Sequence, residues 1–285
     1  SFQGNSASSI GGGIFNSFSS PTITNSILWN NAQWGATTET GASVVNNNST
    51  PTYSHCLVQN IDLTGTGTGN LDGTNPANNP LFVLEVDPLT APTTGGDLRL
   101  LSGSPALDVG DDTANASTND LAGNPRFLGT IDLGAYEKQG VLYVDDTAGG
   151  TNNGTSWTDA YNDLQDALAA ASSGVEIQVA QGTYLPTSGT DRTISFELVD
   201  GALLLGGFPD GGGTRDPAAH PTILSADLLQ DDGPDFANNA DNAYHVLSAG
   251  SGITAATLLD GFTITGGNAN GSSPNNVGGG LYCDS

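Results

Sequence analysis

Alternating apolar and polar positions recur in short runs along the chain. Val175, Ile177 and Val179 alternate with Glu176 and Gln178, and Ile194, Phe196 and Leu198 alternate with Ser195 and Glu197 ahead of Asp200-Gly201. Phe262 and Ile264 alternate with Thr263 and Thr265 before Gly266-Gly267-Asn268. A period of two, ended by Gly, Asn or Asp, predicts strands closed by turns. One segment has a different period. Trp157, Ala160, Tyr161, Leu164, Ala167, Leu168 and Ala171 form a single apolar stripe, which predicts an amphipathic helix from Ser156 to about Ser172. Ser156 or Thr158 is the expected N-cap, Asp159 suits the first turn, and Gly174 follows the end.

Many short strands fit a sandwich or a solenoid, and internal repeats separate the two. The run Pro21-Thr22-Ile23-Thr24-Asn25-Ser26-Ile27-Leu28-Trp29-Asn30 recurs as Pro51-Thr52-Tyr53-Ser54-His55-Cys56-Leu57-Val58-Gln59-Asn60. Pro221-Thr222-Ile223 is a shorter echo, and Gly11-Gly12-Gly13-Ile14-Phe15 matches Gly278-Gly279-Gly280-Leu281-Tyr282. A unit of about 20–30 residues is the size of one coil of a parallel β-solenoid. In such a coil each strand pairs with its equivalent, inward residues stack like on like, and outward Thr and Ser form ladders. The predicted helix, just before the strands from Val175, is placed to cover the open edge of a first coil.

Composition sharpens this picture. The 30 acidic residues face five Lys and Arg, for a net charge of −25, and 25 of the acids are Asp. With 40 Gly and 26 Asn, this is a chain of tight turns, since Asp and Asn bond their own backbone and Gly tolerates left-handed geometry. A 36% hydrophobic content supports a core. Five cations cannot neutralise a nucleic-acid track, and the charge argues equally against an anionic membrane surface. No apolar run reaches the length of a membrane span. Cys56 and Cys283 are too far apart in the chain to define a disulfide framework.

Three further segments carry a resemblance. Ser104-Pro105-Ala106-Leu107-Asp108-Val109-Gly110, Asp120-Leu121-Ala122-Gly123-Asn124-Pro125-Arg126 and Asp132-Leu133-Gly134-Ala135-Tyr136-Glu137 together resemble the C-terminal signature of choice-of-anchor Q proteins. These are bacterial surface proteins with a pectin-lyase-like right-handed parallel β-helix. Asn79-Pro80-Leu81-Phe82 and Asp97-Leu98-Arg99-Leu100 fit the approach to that signature. Val141-Leu142-Tyr143-Val144-Asp145, Asn153-Gly154-Thr155-Ser156-Trp157 and Gly261-Phe262-Thr263-Ile264-Thr265-Gly266-Gly267 look like the start of a second copy. An ending therefore precedes a beginning. The order implies a segment cut from a tandem array, with 1–139 the C-terminal half of one module and 140–285 the N-terminal half of the next. Very long surface adhesins and filament proteins, especially of the Bacteroidota, resemble this pattern.

The pectin-lyase-like fold also hosts enzymes, so the reactive residues need separate weighing. An eliminase would need a cationic base, and the choices are Arg99, Arg126, Lys138, Arg192 and Arg215. Arg99 alternates within a strand, Arg126 lies in the signature where a structural salt link is expected, and the others fall in loops. A hydrolase would need clustered carboxylates. The pairs Asp111-Asp112, Asp145-Asp146 and Asp231-Asp232 all sit in turn-like contexts. His55, His220 and His245 accompany no strained-elbow Ser motif, and His55 and Cys56 occupy the repeat positions of Asn25 and Ser26. Asp108, Asp111, Asp112 and Asp120, with Asn115 and Asn119 between them, offer hard oxygen ligands suited to Ca²⁺. Their spacing is not that of a known calcium loop, and capping of turns is the simpler role. Asp112-Thr113-Ala114 and Asp146-Thr147-Ala148 resemble the O-glycosylation site of Bacteroidota. A flat Thr-x-Thr array that bound ice or glycan would have to come from Thr22/Thr24, Thr52/Ser54 and Thr263/Thr265.

The sequence thus leads to an all-β chain, a right-handed parallel β-helix with one short capping helix near 157–172. The expected role is structural and adhesive, without catalytic, cofactor or metal residues, at the outside of a bacterial cell. The expected partners are neighbouring modules, other copies in a filament and cell-surface glycans, with no nucleic acid and no membrane span. A secreted polysaccharide lyase or hydrolase, and a glycan- or ice-binding module, are the alternatives.

Overall fold

A computed structural model describes residues 1–91 and 95–284. The chain divides into two compact units, Ser1–Lys138 and Gln139–Ser285. Strands dominate both. Among the described residues no sheet closes on itself, and every named strand pair but one is parallel.

The first unit contains β1 (Phe2–Gln3), β2 (Ser6–Ala7), β3 (Ile14–Ser17), β4 (Thr22–Trp29), β5 (Ala32–Gln33), the single-turn helix α1 (Thr40–Ser43), β6 (Val44–Asn47), β7 (Thr52–Val58), β8 (Phe82–Leu84) and β9 (Asp97–Leu100). β1, β4 and β7 form one sheet, while β2 pairs with β5 and β3 with β6. The ten-residue repeat is the pairing register: Thr22 faces Thr52, Ile23 faces Tyr53, Thr24 faces Ser54 and Ile27 faces Leu57. Polar side chains stack on their equivalents 30 positions away. Asn16 Nδ2 donates to Asn46 Oδ1 at 2.8 Å, and Thr52 Oγ1 donates to Thr22 Oγ1 at 3.0 Å. Both strands bend at the same repeat position, where Asn25 and His55 each have φ near 50°. Asn adopts this left-handed conformation readily, and His is among the side chains enriched there.

The C-terminal ends of β4 and β7, Ile27-Leu28-Trp29 and Cys56-Leu57-Val58, are buried on both faces, as apolar runs in parallel sheets usually are. Leu28, Cys56 and Val58 pack with Val44, Tyr53 and Leu63 on one side. Ile27, Trp29 and Leu57 pack with Phe82, Leu100, Ala106 and Leu133 on the other. The segment that carries Ala106 and Leu133 is therefore a cover over this sheet. β8 and β9, the one antiparallel pair, contribute Phe82 and Leu100 to the same cluster.

The second unit contains β10 (Val141–Val144), α2 (Leu164–Ala170), β11 (Glu176–Ala180), β12 (Gly182–Tyr184), β13 (Phe196–Glu197), β14 (Leu203–Phe208), β15 (Thr222–Ser225), β16 (Leu247–Ala249), β17 (Leu258–Asp260), β18 (Phe262–Thr265) and β19 (Leu281–Cys283). The chain visits three sheets in turn. One sheet has the order β10-β11-β14-β17, a second β12-β15-β18 and a third β13-β16-β19, all parallel. Their inward residues make one core, in which Ile177, Leu204, Leu224, Phe196 and Leu247 are fully buried. The two matched glycine runs share a local form, each entering a strand from a left-handed glycine (Gly11, φ 72°; Gly278, φ 68°).

The helix is shorter than the apolar stripe predicts. It spans Leu164–Ala170, capped by the Asp163 side chain on Gln165 N, and buries Leu164, Ala167 and Leu168. Residues from Ser156 to Asn162 are excluded because their backbone is committed elsewhere. Asp159 O accepts from Asn153 N and Gly154 N, while Tyr161 N donates to Tyr143 O and Tyr161 O accepts from Asp145 N. Tyr161 is thus extended and bridged to β10. Trp157, which the stripe placed on the helix, instead packs between Tyr143 and Phe208, with ring centroids 5.0 and 5.4 Å away.

The stacking of equivalent apolar residues sets the stability of the first unit. Leu57 is fully buried against its register partner Ile27. Leu57→Ala is expected to cost about 2–5 kcal/mol through lost burial and a residual cavity, read as a lower urea midpoint with an unchanged slope.

Candidate functional site

The signature residues converge on a buried polar knot. Arg126 (5% exposed) donates through Nη2 to Asp132 O and Gly134 O, both at 2.9 Å, and its Nη1 lies 3.6 Å from Glu137 Oε2. Asp132 accepts from Asp108 N and Lys138 N, and Glu137 Oε2 accepts from Asp132 N. Asp120 closes the ring by accepting from Glu137 N, Ala122 N and Asn124 N. Burial pushes the Glu137 carboxyl up to about 7, with the Asp132 carboxylate adding to the rise and Arg126 opposing it. The salt link expected at Arg126 is present, and its surroundings are filled by backbone.

The other cations are engaged in the same way. Arg99 grips Asp97 through both carboxylate oxygens. Arg192 donates to Asn242 O and Asn268 O and lies 4.4 Å above the Tyr244 ring. Arg215 joins Gly206 O to Asp260. Arg192 and Arg215 tie separate segments together, whereas the Arg99 pair lies within β9.

Of the acidic pairs, Asp111 and Asp145 cap turns, while Asp232 Oδ2 accepts from Asn242 Nδ2. Asp111 accepts from Thr113 N and Oγ1, Asp112 accepts from Ile131 N, and Asp145 accepts from Thr147 N and Oγ1 and from Gly211 N. Both candidate glycosylation threonines, Thr113 and Thr147, are exposed but donate their hydroxyls to these caps. Of the acids weighed for Ca²⁺ in 108–120, Asp111, Asp112 and Asp120 accept from backbone donors. Asp227, Asp231 and Asp241 form a different group, with ligand oxygens within 4.8 Å of one another, and could hold a divalent cation. Partial desolvation and the carboxylates of Asp241, Asp227 and Asp232 push Asp231 above its ordinary value. The four-residue step from Asp227 to Asp231 was visible in the sequence. The arrival of Asp241 from a later loop was not.

Each histidine has its own local partners. His55 Nδ1 contacts its neighbour Ser54 Oγ at 2.9 Å, and no carboxylate is hydrogen-bonded to the ring among the described residues. His220 meets Gln181, and His245 contacts Gly278 O and stacks on Tyr282. The threonine array is also interrupted. Thr22 and Thr52 stack, but Thr263 pairs with Ile223.

One exposed aromatic was not signalled by any motif. β5 ends in a two-residue hairpin in which Gln33 and Ala36 exchange both backbone hydrogen bonds at 2.9 Å. Its central residues, Trp34 (φ 51°) and Gly35 (φ 75°), are both left-handed. Such a turn favours Asn-Gly, and a bulky residue there is disfavoured by about 1–2 kcal/mol. Trp34 is nevertheless 65% exposed and borders an open cleft of about 1030 Å³, also lined by Gln3, Asn5, Ser6 and Ser8. A second cleft, of about 550 Å³, lies across Gly35 and carries Glu85 and Asp87.

Comparison with protein-family models, with curated proteins and with solved structures returns no match.

Two electrostatic outcomes follow from this geometry. Glu137 binds its proton more tightly folded (about 7) than at its ordinary 4.5, so its contribution is full below pH 4.5 and lost as pH rises to about 7. Melting temperature should fall across that window, and Glu137→Gln should flatten the profile; an equally steep profile in the variant would remove Glu137 as the cause. Asp231→Asn should raise the melting temperature at low ionic strength by relieving like-charge repulsion. Added salt should shrink the gain.

Proposed function

We propose that this chain is a non-enzymatic structural and adhesive repeat segment of a large bacterial cell-surface protein. In this reading its strands belong to right-handed parallel β-helix coils, and its two units are halves of successive modules in series. The observation that carries it is the register of β4 on β7, where a repeat in sequence is also a repeat in hydrogen bonding. Parallel ladders of this kind distribute load over many backbone bonds at once, which suits a stiff extracellular shaft. The fate of the reactive residues points the same way. Arg126, Arg192 and Arg215 hold separate segments together and Arg99 pairs with Asp97 inside β9, which supports a structural use of these cations. The acids cap turns, and at −25 they keep the surface hydrated and repel polyanions.

The knot around Arg126 then serves as a terminal plug. It covers one face of the β4–β7 sheet, and its guanidinium gathers Asp132 O, Gly134 O and the Glu137 carboxylate. α2, packed on β10 and β13, serves the same purpose at a beginning.

Antibodies raised against this chain should label unpermeabilised cells, and negative stain of the intact protein should show thin, unbranched rods. Labelling only after lysis, or compact globules, overturns the reading. So does the appearance of new reducing ends or unsaturated products when the chain is incubated with pectin, alginate or host glycans.

A further inference from the structure

We infer that the Trp34 hairpin is a saccharide-binding platform, and that its ligand is a neutral glycan. The inference rests on the adhesive reading above and assigns it a contact point. Trp34 occupies a position where the backbone favours Asn, and the indole is 65% exposed, so neither local geometry nor core packing accounts for the residue. Its backbone is held firmly. Trp34 N donates to Ala7 O at 3.0 Å, and the flanking Gln33 and Ala36 are paired to each other. The held backbone thereby presents a large flat apolar ring at the rim of a cleft.

The cleft decides the chemistry. Its lining from the β1–β2 segment, Gln3, Asn5, Ser6 and Ser8, is uncharged and rich in amide and hydroxyl groups. The Gln3 amide is locked by two bonds to Val86, at 3.2 and 3.0 Å, and the Asn5 amide by Asn31 at 2.9 Å, so this wall is preorganised. A sugar ring has an apolar C–H face that stacks on an aromatic plane and a hydroxyl rim that exchanges hydrogen bonds with such a wall. Anionic sugars are disfavoured. Glu85 and Asp87 stand in the adjoining cleft, and the whole chain carries −25. A protein partner fits less well, because the wall opposite the indole offers polar groups rather than an apolar socket. Phe236 shares the exposure and the left-handed backbone, but its cleft is bordered by Asp232 and Asp235.

The test uses the whole chain and its intrinsic tryptophan fluorescence, with calorimetry as a second readout. The probes are cellohexaose, laminarihexaose, mannohexaose and chitohexaose, with oligogalacturonate as the anionic control. At least one neutral probe should bind saturably and the anionic control should not. Trp34→Asn should weaken that binding at least tenfold while leaving the melting temperature equal or higher, since Asn is the favoured residue of this turn. Absence of binding by all four neutral probes overturns the inference, as does wild-type affinity in Trp34→Asn. A lowered melting temperature in that variant would make Trp34 structural, and self-association that the substitution abolishes would make it a protein contact; either result also overturns it. Surface labelling and rod morphology do not depend on Trp34, so failure here leaves the structural role to be judged separately.

Discussion

Parallel pairing between equivalent strands is the constraint on which the rest depends. A parallel ladder satisfies backbone groups only if each strand meets another at the same height and register, and the intervening residues must bring the chain back to that point. Every turn along the way therefore has a fixed job, and the turn residues are correspondingly specialised. Asn25 and His55 bend their strands at the same place, and Asn30 and Asn60 leave them with the same left-handed step. The abundance of Asp, Asn and Gly follows from this demand for return more than from any demand for charge.

The ladder has two consequences for polar groups. Along its length, like stacks on like: the Asn16–Asn46 and Thr22–Thr52 contacts let each rung satisfy the next. At its ends and outer faces no such partner exists, and the chain solves the problem with dedicated structures. The Arg126–Asp132–Glu137 knot is one, and the cost of burying its carboxyls is visible in the raised proton affinity of Glu137. Cations are scarce, and Arg126, Arg192 and Arg215 are placed where they join several segments. Acids are plentiful, and most lie at turns where neighbouring N–H groups or hydroxyls offset the crowding. Asp227, Asp231 and Asp241 gather most closely, and there backbone N–H groups of Leu229, Asp231 and Asp232 donate to Asp241 and Asp227.

Much of this is legible in the amino-acid sequence. The repeat of 21–30 at 51–60 becomes a register because the residues that repeat are those that must stack. The salt link of Arg126 follows from its place among the signature acids. The turn role of the Asp pairs follows from what Asp does near Gly and Thr. Apolar spacing overreaches at Trp157 and Tyr161, where the period of a helix is reproduced by residues facing a strand and two aromatic rings.

Local sequence, by itself, determined the strands, the turns and which segments are equivalent, because those depend on side chains within a few positions of one another. Tertiary structure alone decided what met across those segments. It extended Tyr161 along β10 and held the start of the helix back to the Asp163 cap. It drew Asp241 to Asp227 and set Asp112 and Asp120 on the distant backbone donors Ile131 N and Glu137 N. It also set an exposed Trp34 beside the wall of Gln3 and Asn5. The reason is common to all three: a side chain's environment is made by residues far away in sequence, and no local pattern records which of them the returning chain will bring.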